Sequence, residues 1–271
     1  MYSSSVSKEA PQVATTLLGD PPLQAPSWLL GLLEFPRALS EASSLIPARS
    51  LLRKLPEGDG HAVMTLPGFL ASGRSMRTVR NYLRHWGYDA RCWKLGRNLG
   101  LSLERDLEKL LDYRLHKLHE RSGQKVSLIG WSLGGLFARE LARRNPELVR
   151  SVILLGSPIG SPKATNAWRL YQMVSGQRVD DDTIRRRVAG LRDPVDGVPM
   201  TAIYSWSDAV VSSDIARLPP GETVENVGVT ASHFGMGFNP AVLYVIADRL
   251  RQPAGDWRPF QISGLRSLFY H

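Results

Sequence analysis

The chain has 271 residues, 43% of them hydrophobic and 22% charged, which excludes bulk disorder and suits one large domain with or without a small appendage. The net charge of +9 raises nucleic acid and anionic membranes as partners, but the arginines lie on helical faces (Arg139, Arg143, Arg144; Arg185, Arg186, Arg187) without interleaved aromatics, so a solvated basic surface is expected and nucleic acid is not. The single cysteine, Cys92, excludes a disulfide framework within the chain and argues against a thiolate metal site; in YDARCW it reads as a buried, inert thiol.

Residues 1–26, rich in Ser, Pro and Ala, read as a flexible arm. They lack the charged start and sustained apolar run of a secretory signal. No segment reaches the ~18 apolar residues of a spanning helix, so a reducing cytosol is the expected compartment. Residues 27–56 carry three short helical patterns parted by Pro36, Pro47 and Pro56. The first, SWLLGLLEF, has Ser27 as N-cap and is apolar nearly all round. It is expected to bury itself on the core; the alternative is docking of residues 27–35 on a membrane surface or another chain.

From Gly60 the texture changes. HAVMTLPGF is a short apolar strand ending at Pro67-Gly68, SMRTVRNYLRHWG a helix closed by Gly87, and YDARCW a strand. SLERDLEKLLDYRLHKLHERSG is a long amphipathic helix, with Ser102 as a candidate cap and Gly123 at its end. KVSLIGW, VRSVILLGSP, PMTAIYSWSD and the more polar, edge-like ETVENVGV complete the strands, with helices LGGLFARELARRN and NPAVLYVIADRL among them. This alternation implies an α/β fold, a mostly parallel sheet of about six strands covered by helices on both faces. The core spans 57–158 and 198–252, residues 159–197 form a lid-like insertion over the sheet's carboxyl edge, and 253–271 are a C-terminal extension.

Gly130-Trp131-Ser132-Leu133-Gly134 fits G-x-S-x-G between a buried strand and a helix. A strand that turns sharply into a helix strains its central residue and crowds its flanks, where only residues without a Cβ fit. The serine hydroxyl is then exposed near the positive end of the helix. A hydroxyl nucleophile needs a base. His85, His116 and His119 fall in helices, His61 opens a strand and His271 is the last residue, which leaves His233 in the loop TASHFGMG. The base needs an orienting carboxylate; Asp208 directly follows an apolar strand, with Asp214 the runner-up and Asp193 and Asp196 on the wrong edge. Two main-chain donors are needed for the oxyanion: Leu133 N–H, and Phe69 N–H in LPGF, with Leu70 as second choice.

With LPGF (66–69), GWSLGG (130–135), LGSP (155–158), YSWSDAVV (204–211) and SHFGM (232–236), the chain resembles the α/β-hydrolase superfamily over residues 60–251. More narrowly it resembles bacterial lipase/esterase-type hydrolases whose first core strand ends in a Pro-Gly-Phe oxyanion loop. The resemblance implies that Ser132, Asp208 and His233 are nucleophile, acid and base in the chain order of that fold. It implies hydrolysis of small-molecule or lipid esters through an acyl-enzyme, with no metal and no organic cofactor. The first two antiparallel strands of the full fold have no counterpart here, and the insertion has none either. An acyltransferase would use the same residues, and a non-catalytic binding protein would keep the fold. Trp131, Trp168 and Trp206, with Leu170, Tyr171 and Met173, are candidates for an apolar substrate pocket or for plain lid packing. Oligomeric state is not legible.

Overall fold

The apolar runs become strands in the computed structural model, which describes residues 26, 28–100, 104–160, 165–167, 171, 173, 190, 193 and 195–271. In chain order the elements are α1 (Trp28–Arg53), β1 (Ala62–Leu66), α2 (Arg77–His85), β2 (Asp89–Cys92), α3 (Glu104–Ser122), β3 (Val126–Trp131), α4 (Leu133–Arg144), β4 (Val149–Leu155), β5 (Met200–Ser205), α5 (Ser213–Ala216), β6 (Val224–Val229) and α6 (Pro240–Leu250). The strands form one sheet in the order β2-β1-β3-β4-β5-β6, and every neighbouring pair is parallel. Every residue of β1, β3 and β5 is buried, as a sheet between two helical layers demands.

Alternate strand residues serve the two layers. Val63, Ile129, Ile153 and Ile203 pack with Val79 and Leu83 of α2 and Val242 and Ile246 of α6. Met64, Leu66, Leu128 and Leu154 pack with Leu111 and Leu115 of α3 and Phe137 and Leu141 of α4. The chain runs from β1 outward to β2 and then returns to β3 on the other side of β1. The carboxyl ends of β1 and β3 therefore meet at a topological switch point, with Leu66 in register with Gly130.

The three short helices expected in 27–56 are one helix. Pro36 and Pro47 both lie inside it at exposed positions. Each removes one N–H from the ladder, and the carbonyls freed at the exposed Leu32 and Ser43 can turn to water, so the helix survives both breaks. The burial expected for SWLLGLLEF is inverted. Leu32, Leu33 and Phe35 are 67%, 52% and 79% exposed, and the buried side chain among them is Glu34, at 2%. Core packing comes from the later half of α1, where Leu52 is buried and Leu45 and Ala48 lean on the same cluster.

Cys92 is half-buried rather than buried, because β2 is an edge strand. The opposite edge, β6, is partly covered by the C-terminus: Gly228 and His271 exchange two backbone hydrogen bonds at 2.9 and 3.0 Å. Ser27 and Ser102, the expected caps, lie outside the described residues, as does most of the 159–197 insertion.

Candidate active site

The Gly130–Gly134 turn is built as its glycines require. Ser132 has φ +53° and ψ −124°, a left-handed backbone that a serine adopts only when its surroundings impose it. What imposes it is close approach. A Cβ on Gly134 would collide with the carbonyl oxygens of Leu66 and Pro67, and one on Gly130 with the backbone of Gly134 and Gly135. Main-chain bonds fix the turn: Ser132 N–H donates to Leu155 O at 2.8 Å, and Ser132 O accepts from Gly135 N–H at 2.9 Å. Ser132 is the N-cap of α4, yet its hydroxyl makes no capping hydrogen bond. The oxygen is left free at the positive end of a 12-residue helix.

Asp208 and His233 come together from the loops after β5 and β6. His233 Nδ1 lies 2.7 Å from Asp208 Oδ2, and both side chains are buried. The other carboxylate oxygen, Oδ1, accepts the N–H groups of Val210 and Val211, each at 2.8 Å. Both oxygens are thus satisfied, and the imidazole is held through Nδ1 with Nε2 left for another partner. Burial disfavours the charged imidazolium. The charge and hydrogen bond of Asp208, together with the charge of Glu34, more than offset it, so His233 titrates above its ordinary 6.5. The residue before Ser132 touches the loop of His233: the Trp131 indole N–H donates to His233 O at 3.1 Å. Among the described residues Ser132 Oγ has no hydrogen-bond partner, His233 included. Catalytic hydrogen bonds in empty sites are often long and tighten when substrate binds.

The loop after β1 stands over the serine. A Cβ on Gly68 would lie 3.2 Å from Ser132 Cβ and 3.9 Å from Ser132 Oγ. Leu70, the second choice as oxyanion donor, is ruled out, because its N–H donates to Asn98 O at 2.7 Å. The N–H groups of Phe69 and Leu133 meet no acceptor among the described residues. Asn98 was missed by sequence reasoning. It is buried, its Nδ2 donates to Pro67 O at 2.8 Å and its Oδ1 accepts from Gly100 N–H at 3.1 Å, so one side chain clips the oxyanion loop from outside. Nothing in GRNLG marks it in advance. Glu34 was missed too, although a lone carboxylate inside LLGLLEF was a signal to be read.

The other expected contacts are placed differently. Trp131 is buried, and its described contacts are with the base's loop rather than with open space. Trp206 is 57% exposed, edge-on to Tyr204 and under Arg217. Tyr171 packs on Phe69 with ring centroids 5.2 Å apart, so the insertion reaches the oxyanion loop; Met173 is exposed, and Trp168 and Leu170 lie outside the described residues. Asp214 is exposed and pairs with Arg217 at 3.0 Å, away from His233.

A second Asp-His-Ser array sits at the sheet's amino end. His61 Nδ1 lies 2.5 Å from Asp59 Oδ1, and His61 Nε2 lies 2.8 Å from Ser127 Oγ. Ser127 is fully buried within the sheet and its hydroxyl is shared with Ser151 at 3.0 Å. No substrate reaches such an oxygen, so this array joins β1, β3 and β4 structurally. Burial lowers the pKa of His61 despite its Asp59 partner.

Comparison with known proteins agrees with this architecture. A family model described as the alpha/beta hydrolase fold matches residues 46–224. No curated protein matches the chain in sequence. Among solved structures, lipase B of Aspergillus fumigatus is similar at 17% identity with a TM-score of 0.53, covering 74% of this chain and 55% of that one, so the chain spans about half of that lipase. The mature form of the Bacillus licheniformis lipase BlEst2 is similar at 20% identity and TM-score 0.51, covering 73% and 95%. A structure of the metagenome-derived lipolytic enzymes LipS and LipT is similar at 16% identity and TM-score 0.54, covering 72% and 93%. At such identities the likeness is one of fold.

Proposed function

Because the chain belongs to the α/β-hydrolase fold family, we propose that it is a serine hydrolase that cleaves carboxylic esters through an acyl-enzyme on Ser132. The observation that carries this reading is a serine hydroxyl at a helix N-terminus, held at φ +53° and left uncapped, together with a His233–Asp208 pair bonded at 2.7 Å whose loop accepts a hydrogen bond from Trp131, the residue before the serine. Ser132 Oγ attacks the ester carbonyl carbon while its proton passes to His233 Nε2. The carbonyl oxygen becomes an oxyanion, which the N–H groups of Phe69 and Leu133 stabilise. Collapse breaks the bond to the leaving oxygen, which takes the proton from His233 and departs as the alcohol. Water then repeats the attack, giving its proton to His233, and the acid is released with the proton returned to Ser132. Asp208 holds the imidazole and stabilises its charged form. The apolar Tyr171–Phe69 contact at the loop after β1 supports a preference for apolar acyl groups over charged ones.

A series of nitrophenyl esters of rising acyl length, together with a fluorophosphonate label, tests this. Turnover and labelling are expected for the natural chain, and Ser132→Ala should abolish labelling and reduce turnover by roughly 10⁴-fold or more. Labelling without turnover of any ester would sink hydrolysis and leave the acyl group to an acceptor other than water. Absence of labelling would sink the nucleophile itself.

A further inference from the structure

The loops that carry Asp208 and His233 both touch the first half of α1. Three side chains of α1, Glu34, Arg37 and Glu41, share one face at spacings of three and four residues, and each reaches into these loops. Glu34 Oε1 accepts from Ala209 N–H at 2.9 Å, and Oε2 accepts from Phe234 N–H at 3.2 Å. Ala209 directly follows Asp208, and Phe234 directly follows His233. Arg37 donates to Ser207 O at 2.5 Å and to Ser207 Oγ at 2.6 Å, on the other side of Asp208. Glu41 Oε1 accepts from Ser232 N–H at 2.6 Å, on the other side of His233, and its Oε2 accepts from Asn239 Nδ2 at 3.0 Å. Gly235 completes the fit, since a Cβ there would overlap Glu41 Oε2.

We propose that α1 is a positioning element for the catalytic pair, with Glu34 as the positioning residue whose single carboxylate bridges the residue after the acid and the residue after the base. The proposal rests on the reading of Asp208 and His233 as acid and base. Its physical ground is cost. A carboxylate buried to 2% exposure in a run of leucines is unfavourable unless its oxygens are fully used, and packing alone would be served better by another leucine. Here both oxygens are used, on two amides from two different loops. Among the described residues, Asp208 from the β5 loop and Glu34 from α1 act on His233 directly, and Arg37 and Glu41 of α1 hold the adjoining Ser207 and Ser232. Of these, Asp208 and then Glu34 raise the pKa of His233.

Glu34→Gln, Glu34→Ala and Glu41→Ala in the full chain test it by four readouts: kcat, KM, the pH dependence of kcat/KM, and the titration of the His233 imidazole by NMR, assigned by its loss in His233→Gln. Unfolding midpoints are measured alongside. Glu34→Gln is expected to lower kcat roughly tenfold, because a small misplacement of catalytic groups is expensive, with KM within about twofold. Its acid limb and the His233 titration should move down towards 6.5 together, since a negative charge has gone. Glu41→Ala should lower kcat but leave the His233 titration in place. Unchanged kcat and unchanged titration in Glu34→Gln would overturn the proposal, as would a loss of activity that disappears when rates are expressed per folded molecule. If Glu34 variants fail to fold, an unchanged kcat in Glu41→Ala overturns it. If the natural chain turns over no ester, the hydrolase reading falls, while the NMR titration still decides whether Glu34 acts on His233.

Discussion

Asn98 shows how much a single side chain outside the reacting set can govern. Its backbone already ties the loop, through Leu70 N–H to Asn98 O and Asn98 N–H to Ala71 O at 2.9 Å. Its amide adds the bond to Pro67 O, two residues before Phe69, whose N–H is the proposed oxyanion donor. In Asn98→Ala the backbone bonds persist, but a buried carbonyl loses its donor, at a cost of about 1–3 kcal/mol of stability. The larger effect belongs to rate. An oxyanion donor acts only in the transition state, so kcat should fall about 10- to 100-fold while KM changes little. Steady-state kinetics on one nitrophenyl ester, with urea unfolding beside them, checks this. A rise in KM at constant kcat would mean that Asn98 serves binding, not the oxyanion.

The elements differ in how plainly the sequence announces them. β1, β3, β4 and β5 are legible because a parallel strand covered on both faces is an unbroken apolar run. The serine turn is legible because the glycines on either side of Ser132, Gly130 and Gly134, share one steric reason: backbone packs where a Cβ would stand. α1 is not, because proline is read as a stop wherever it stands, whereas Pro36 and Pro47 sit on the exposed side of a helix held by tertiary contacts. Asn98 and Glu34 escape for a different reason: the bonds that matter, Asn98 to Pro67 O and Glu34 to the Ala209 and Phe234 amides, span 31 to 200 residues, and no local pattern encodes a distant backbone group. The C-terminal segment belongs with these long-range features. Tyr270 stacks edge-on to Phe260 with centroids 4.9 Å apart and lies 6.2 Å from Tyr244, and His271 pairs with the β6 edge. Deleting residues 261–271 removes a buried aromatic and uncovers an edge strand. It should lower stability by about 3 kcal/mol or more and promote association, read by urea unfolding and by light scattering on warming. Unchanged stability with no scattering would mean that the segment merely rests on the sheet.

Across the whole molecule, two buried histidines at opposite ends of one sheet oppose each other in pH. His61 at the amino end is lowered by burial, which outweighs Asp59. Above its ordinary pKa of about 6.5, neither the folded nor the unfolded chain carries that proton, and folding is indifferent to it. As pH falls through 6.5 the unfolded chain takes the proton first, so stability is lost down to the folded pKa. His233 at the carboxyl end is raised: burial disfavours its charge, but Asp208 and Glu34 prevail. Its contribution is complete below 6.5 and is lost as pH rises through the folded pKa. The two together place a crest of stability near pH 6.5, with slopes of at most about 1.4 kcal/mol per pH unit on either side for one proton each. Asp59 acts lower down. Burial opposes its charge, bonds from His61 and Arg150 outweigh burial, and its pKa of about 2 confines its effect to the acid range. Urea unfolding of the natural chain, His61→Gln and His233→Gln from pH 5 to 8 resolves the pair. His61→Gln should remove the decline on the acid side of the crest and His233→Gln the decline on the alkaline side. Constant stability of the natural chain between pH 6.5 and 5 would show that His61 is not held neutral, and constant stability from 6.5 upward would deny His233 its charged partners. The second result bears on the proposed hydrolysis as well, because the carboxylates that favour the imidazolium of His233 would also stabilise it at the transition state.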